Sequence, residues 1–313
     1  MLIKQVIDVY DLIDRSDIDG AKVSSYFESL GAKYIDVTKF SGEKGSTDFI
    51  KIIIPGKKGK HGGGSAPTLG ILGRLGGIGA RPEMIGFVSD GDGALSALAV
   101  AAKLLDMQAK GDFLDGDVII CTHICPDAPT QPHDPVPFMG SPVDMATVNE
   151  AEVSGDLDAI LSIDTTKGNR IINVSGFAIS PTVKEGYILR ISNDLLTIMQ
   201  DVTGGLPNVF ALTTQDITPY GNDLYHLNSI LQPATATDAP VVGVAITTQT
   251  AVPGCATGAS HFVHIEAASR FAVEVAKYFG QNKCRFYDAA EFALIQEKYG
   301  SMKHLQGFGK GGL

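Results

Sequence analysis

The chain predicts a three-layer α/β fold built on a mixed, mostly parallel sheet. Three observations carry that reading. Short runs of β-branched and aliphatic residues alternate with segments of helical apolar period. Several of the runs are apolar nearly throughout, as strands buried on both faces are. Polar residues capable of chemistry follow those runs directly, where open α/β sheets place their ligands. At 313 residues, 44% of them hydrophobic, the chain is long enough to bury a core without disulfides.

In order along the chain, residues 3–14 have a helical rhythm with Val6, Val9, Tyr10, Leu12 and Ile13 inward. The acids in that opening argue against a secretion signal, which needs an apolar stretch and a small-residue cleavage site. A second helix spans 20–30 and is closed by Gly31. DFIKIIIP, 48–55, is a strand by its β-branched run. GKKGKHGGGSAP, 56–67, is a loop by composition. TLGILGRL and MIGFVSD read as strands, and 94–106 as an Ala/Leu-rich helix. Further strands are DVIICTHI (117–124), AILSIDTT (159–166), NVFALTT (208–214) and APVVGVAITT (239–248). The last long helix is 265–279, and the tail MKHLQGFGKGGL is expected to be mobile.

Thirty-five acidic against 25 basic residues give a net charge of −10, which argues against a non-specific nucleic-acid binder, though not against a local basic patch. Four scattered cysteines do not make a disulfide scaffold. No apolar run approaches the ~20 residues of a membrane span. The expectation is a soluble cytoplasmic protein, one domain with its first ~65 residues packed on the rest, and a homo-oligomer, by default a dimer.

Four strand ends or helix starts carry ligand-type side chains. SDGDGA offers Asp90 and Asp92, and CTHICPDAPTQPHD offers His123, Cys125, Asp127, His133 and Asp134. SIDTT offers Asp164, and GASHFVHIE offers His261 and His264. Carboxylates and imidazoles converging from separate strands hold divalent metals. Each also has a plain structural reading. One of Asp90 and Asp92 is expected to cap the following helix, Asp164 fits a strand-end turn, and the two histidines fit a surface pair. Cys125 is more often a small buried residue than a ligand or a nucleophile. LGILGRLGGIG is no dinucleotide loop, because Arg81-Pro82 follows where a helix should open. KKGKHGGGS lacks the G-K-[ST] ending of a phosphate loop, and no G-x-S-x-G supports a serine nucleophile.

From about Leu69 to Phe279 the order of elements resembles the co-catalytic zinc aminopeptidases, the group with the tetrahedral glutamyl and leucyl aminopeptidases. GRLGGIG falls at that family's His-Met-Asp segment, and SDGDGA at its Asp-Asp turn. THICPD falls at its Glu-Glu strand end, SIDTT at its Ile-Asp-Val strand end, YGNDLYHL at its Gly-Thr-Asp segment and FVHIEAAS before the final helix. TVKEGYILRI resembles its Lys-Gly strand start. The whole chain also resembles an uncharacterised bacterial and archaeal family known only as a domain of unknown function. The resemblance implies a zinc-exopeptidase-like fold, here lacking the inserted β domain, since only Ala80 to Ser89 separate the flanking segments. Without that insertion the family's dodecamer is not expected.

The departures from the pattern are informative. The family's first metal-binding His falls on Arg74, the Asp two residues later on Gly76, and the Glu-Glu pair on Cys125 and Pro126. What survives as implied metal ligands is Asp90 or Asp92, Asp164 and His264. The leading functional expectation is a metal-dependent hydrolase, with zinc the first candidate metal, acting on an amide bond of a small peptide or amino-acid derivative. In that reading the metal site is rebuilt, Asp127 or His123 transfers the proton, and Arg74 holds the substrate's carboxylate. The alternative is a non-catalytic small-molecule binding or regulatory protein on a degenerate peptidase scaffold. In that case Arg74 pairs with Asp164 and an SDGDG aspartate.

Overall fold

The structure, a computed structural model, describes residues 1–311 except 75, 79, 82–85, 127, 133, 135–137, 154–155 and 253–258. Helix α1 (Ile3–Ile13) buries Val6, Val9 and Ile13, and α2 (Gly20–Ser29) starts where the Asp19 carboxylate accepts the Lys22 amide. A hairpin follows, β1 (Tyr34–Gly42) and β2 (Gly45–Ile54), then β3 (Leu69–Gly73) and the short β4 (Ala80–Arg81). Helix α3 (Asp92–Ala109), strands β5 (Val118–Ile124), β6 (Ala128–Gln131) and β7 (Phe138–Met139), and α4 (Met145–Glu152) complete the first half. The second half comprises β8 (Ala159–Thr166), β9 (Gly176–Ile179), β10 (Val183–Lys184), β11 (Tyr187–Ile188) and α5 (Asn193–Thr203). After these come β12 (Val241–Thr247), α6 (Phe262–Gly280) and α7 (Ala289–Tyr299).

The main sheet has nine strands in the order β1-β2-β5-β3-β8-β12-β10-β11, with β9 also paired to β12. Its centre, β5-β3-β8-β12, is parallel, and antiparallel strands extend both edges. Strands β4, β6 and β7 form a separate small sheet. The central strands are buried on both faces, and their residues alternate between two cores. Ile71, Ile120, Leu161 and Val244 face the helices, together with Val6, Phe27, Leu98 and Phe271. Leu72, Cys121, Ile160 and Ala245 face the other way and meet Ile217, Ile230, Leu231 and Leu305. Among the described residues no helix is long and apolar enough to cross a membrane.

Several expectations need correcting. MIGFVSD is not a strand in its described part. Gly86 sits at φ +96°, Phe87 gives its amide to the Asp14 carboxylate, and Ser89–Gly91 is a 3-10 turn; Met84 and Ile85 lie outside the described residues. NVFALTT makes only one bridge, Val209 to Ile179, before Asp216 captures the Thr213 amide and turns the chain. Strand β1 and helix α7 are additions to the elements read from sequence. Strand β1 is an edge strand with little burial to mark it, and α7 buries Phe292 alone. The tail is tied down. Lys303 reaches Asp238 at 2.5 Å, and the Gln306 amide donates to the Ala234 and Thr237 carbonyls.

Candidate functional site

The parallel strands β3, β5, β8 and β12 end on one side of the sheet, where α3 and α6 begin. Close backbone approach places α3 there. A Cβ on Gly93 would stand 2.6 Å from the Ile163 carbonyl and 2.8 Å from that of Arg74. Only glycine allows the helix start to rest on the ends of β3 and β8.

Asp92, the first residue of α3, is fully buried and does not cap it; Gly91 is the N-cap, with no side-chain cap bond. The capping expectation therefore fails for Asp92. Its Oδ1 accepts a 2.5 Å bond from Ser260, just ahead of α6, and its Oδ2 lies 3.6 Å from the ammonium of Lys167, just past β8. Among the described residues Oδ2 has no hydrogen-bond partner. Burial pushes the Asp92 carboxyl up to about 6 against the opposing charge of Lys167. Asp90 is likewise pushed up to about 6 by burial, against Lys167 and the Met139 amide. Asp164, at the end of β8, accepts from the Thr165 amide at 2.7 Å and the Ser229 hydroxyl at 2.6 Å. Burial raises it to about 7, opposed by the Ser229 bond and by Arg74.

His264, in the first turn of α6, bonds the Ser175 hydroxyl at 3.2 Å through Nε2, while among the described residues its buried Nδ1 is unpartnered. Burial holds it below the usual imidazole range, helped by His261, whose ring is 5.1 Å away, and by Lys167. Tyr220 is held above the usual phenol range by burial, with Arg74, Asp164 and Asp216 as charged neighbours. Lys167 and Ser260 carried no signal in the sequence. Their roles come from strand and helix ends meeting in space, not from any local motif.

Arg74 follows β3, is wholly buried, and does not pair with the aspartates. Its Nη1 donates to Glu152 and, at 2.9 Å, to the Asn149 Oδ1, both on α4. Among the described residues its Nε and Nη2 have no partner. Gly76, at the family's Asp position, leaves no room for a ligand, because a Cβ there would fall 1.5 Å from the His123 carbonyl.

The proton-transfer role expected of His123 is corrected. The Gly76 amide donates to its Nε2 at 3.1 Å, so Nδ1 carries the proton and donates to Thr47 Oγ1 at 2.8 Å; Thr47 in turn donates to the Ile124 carbonyl. Burial and the charge of Arg74 push His123 down to about 3. It is a neutral strut stacked on Phe49. Cys125 is buried with its thiol on the Ser46 carbonyl at 3.6 Å. Asp127 and His133 lie outside the described residues, and Asp134 is exposed.

A zinc centre of the implied kind does not fit this donor set. Both oxygens of Asp164 already accept hydrogen bonds, Arg74 and Lys167 bring fixed positive charge, and Gly76 excludes a ligand. Among the described residues, no group of three or more His, Cys, Asp or Glu side chains is placed to hold a metal ion.

Comparison with solved structures supports the architecture. The bottromycin maturation enzyme BotP superposes with a TM-score of 0.51 at 13% identity, over 86% of this chain and 70% of that one. The leucine aminopeptidase LAP1 of Caenorhabditis elegans gives 0.50 at 14% identity, over 88% of this chain and 66% of its own length. The fold is thus that of the aminopeptidases, as the sequence resemblance implied. No curated protein matches the chain by sequence. The family described as "Protein of unknown function (DUF1177)" matches residues 38–309, and the chain belongs to that family.

Proposed function

We propose that this DUF1177 chain binds a small amino-acid- or peptide-derived molecule through its carboxylate, on an aminopeptidase scaffold whose metal chemistry has been replaced by fixed cations. One observation carries the proposal. The Arg74 guanidinium is wholly buried just past β3, at the carboxyl end of the parallel strands, yet among the described residues only its Nη1 is engaged and two nitrogens lack partners. A buried donor left open calls for water, an ion or a ligand. A carboxylate accepting two parallel bonds suits the guanidinium fork. The test is calorimetric titration of the wild-type chain with dipeptides and N-acyl amino acids at pH 7. Saturable binding is expected, weakened at least tenfold in Arg74→Lys, which keeps the charge and loses the fork. No binding across the panel, or binding indifferent to Arg74→Lys, overturns the proposal.

A second reading, the metal-dependent amide hydrolase, keeps one specific support. Among the described residues, Asp92 Oδ2 and His264 Nδ1 are buried donor atoms without partners at the starts of α3 and α6. It requires Asp90, Asp92, Asp164 and His264 to gather a metal, zinc first among candidates, with the base supplied by Asp127. Hydrolysis of aminoacyl amides on addition of zinc, manganese or cobalt would establish it. Either reading makes the partner a small molecule or peptide, without nucleic acid or membrane, and the chain a cytoplasmic dimer.

A further inference from the structure

The two edges of the main sheet are finished differently. At one, β11 is two residues long, and its Tyr187 hydroxyl is tied to the Gly300 carbonyl at the end of α7. At the other, β1 runs for nine residues and pairs with β2 on one side only. Its register is unbroken from Tyr34 against Ile53 to Gly42 against Gly45, so no bulge bends it, and no proline interrupts it. Such devices guard sheet edges elsewhere, because an open edge is a template for another strand.

The turn decides which groups this edge offers. Only Glu43 and Lys44 separate Gly42 from Gly45, which makes those two a hydrogen-bonded pair. Counting back by twos, Phe40, Thr38, Asp36 and Tyr34 turn their N–H and C=O toward β2. Those of Ile35, Val37, Lys39 and Ser41 therefore point outward, along about 20 Å of edge.

We propose that β1 pairs antiparallel with β1 of a second copy of this chain, across a two-fold axis at Thr38. A two-fold interface must be self-complementary, and this is the register that pairs all nine residues. It sets outward residues against outward residues, Val37 against Lys39 of the partner subunit and Ile35 against Ser41 of the partner subunit, so every outward N–H and C=O finds its bond. Charge closes both ends. Lys33, just before β1, faces Glu43 of the partner subunit, and both residues are exposed in the single chain. No like charges stand directly opposite. Neighbouring registers are worse: an axis at Lys39 opposes two ammonium groups, and an axis at Val37 loses the Lys33 to Glu43 pairs. The two nine-stranded sheets become one. The inference gives the dimer stated above its surface and rests on that part of the reading, but it does not depend on the Arg74 site.

The experiment combines sedimentation velocity over a concentration series with oxidative cross-linking of the full chain. Wild type is expected to sediment as a dimer. Thr38→Cys places two thiols across the axis in a non-hydrogen-bonded pair, whose Cα atoms stand about 4.5 Å apart, within disulfide reach. Oxidation should give a covalent dimer there, and no more than the wild-type background in Ser41→Cys, whose two copies would lie about 20 Å apart. Lys39→Pro removes one outward donor and leaves the bonds to β2 in place, as proline on an edge strand allows. It should weaken dimerisation at least tenfold with the circular dichroism spectrum unchanged. If that variant folds poorly, the cysteine pair, at exposed positions, still decides. A wild-type monomer throughout the series, or Thr38→Cys cross-linking no more than Ser41→Cys, overturns the inference. A dimer without the selective cross-link removes this surface and leaves the dimer. A cross-link intact while the carboxylate titration fails removes the Arg74 reading alone.

Discussion

Replacing Arg74 by methionine removes one partner from an ion pair that is 0% exposed on both sides. Glu152 would then be left buried at the end of α4 with Oε1 already unpartnered and Oε2 newly so, and the Asn149 carbonyl would lose its donor. Breaking such a pair from one side costs roughly 3–5 kcal/mol, mostly because a buried charge is left uncompensated. For a chain of 313 residues that is a fall in Tm of roughly 5–8 °C. Burial already favours the protonated Glu152, opposed by Arg74. The loss in Arg74→Met should therefore shrink as pH falls and the carboxyl takes its proton. Arg74→Met/Glu152→Met should recover most of the stability, since a buried pair and an apolar pair of similar volume are often near-equal. Urea denaturation followed by circular dichroism gives the double-mutant cycle. Single variants costing under ~1 kcal/mol each, with additive effects in the double, would refute the pairing of β3 to α4 through this contact.

Three further outcomes follow from the geometry. Asp164 has its folded pKa raised from 3.8 to about 7, so the folded chain holds the extra proton, and this group's stabilising contribution is present at acid pH and lost as pH rises through about 7. Asp164→Asn should accordingly flatten the stability curve between pH 4 and 7 and raise Tm at pH 8; an unchanged curve contradicts the buried carboxyl. Nitrogen-detected NMR of His123 should show the Nδ1-protonated neutral ring at pH 5, and Thr47→Val, which strips its acceptor, should cost about 1–3 kcal/mol by urea denaturation. A titrating His123 near pH 6.5 would restore it as a proton-transfer candidate. Deleting the tail from Met302 removes the Lys303 and Gln306 contacts and the Leu305 packing, and should lower stability by about 1–2 kcal/mol; no change would fit a tail that is mobile.

Much of the frame was readable because the parallel centre writes itself as apolar runs. AILSIDTT matches β8 to the residue, and the runs at 117–124 and 239–248 contain β5 and β12. The misreadings have local causes. Gly86 to Val88 is apolar and buried, but the Phe87 amide goes to the side chain of Asp14, just past α1, an attachment no periodicity reveals. Asp216 breaks the promising NVFALTT run by gathering amides from 213, 227 and 228, and its partners are up to a dozen residues away. At the site, the sequence marked Asp90, Asp92, Asp164 and His264 as strand-end or helix-start residues; Asp164 does end β8 and His264 lies in the first turn of α6, whereas Asp90 and Asp92 follow no strand and lead into α3. The charges that decide their chemistry were not legible. Lys167 looked like any lysine in a turn, and Glu152 like any acid on a short helix. Gly76 meant little until the His123 carbonyl stood beside it.

The central claim is that fixed cations have taken the place of metal at this sheet edge. Metal analysis of the chain purified without chelators, from cells supplied with zinc, manganese and cobalt, tests it most directly. No metal is expected to be retained in stoichiometric amount through gel filtration, and Tm is expected to be unchanged when zinc is added. One tightly held equivalent that Asp92→Asn or His264→Ala releases would contradict it and make the hydrolase reading the better one.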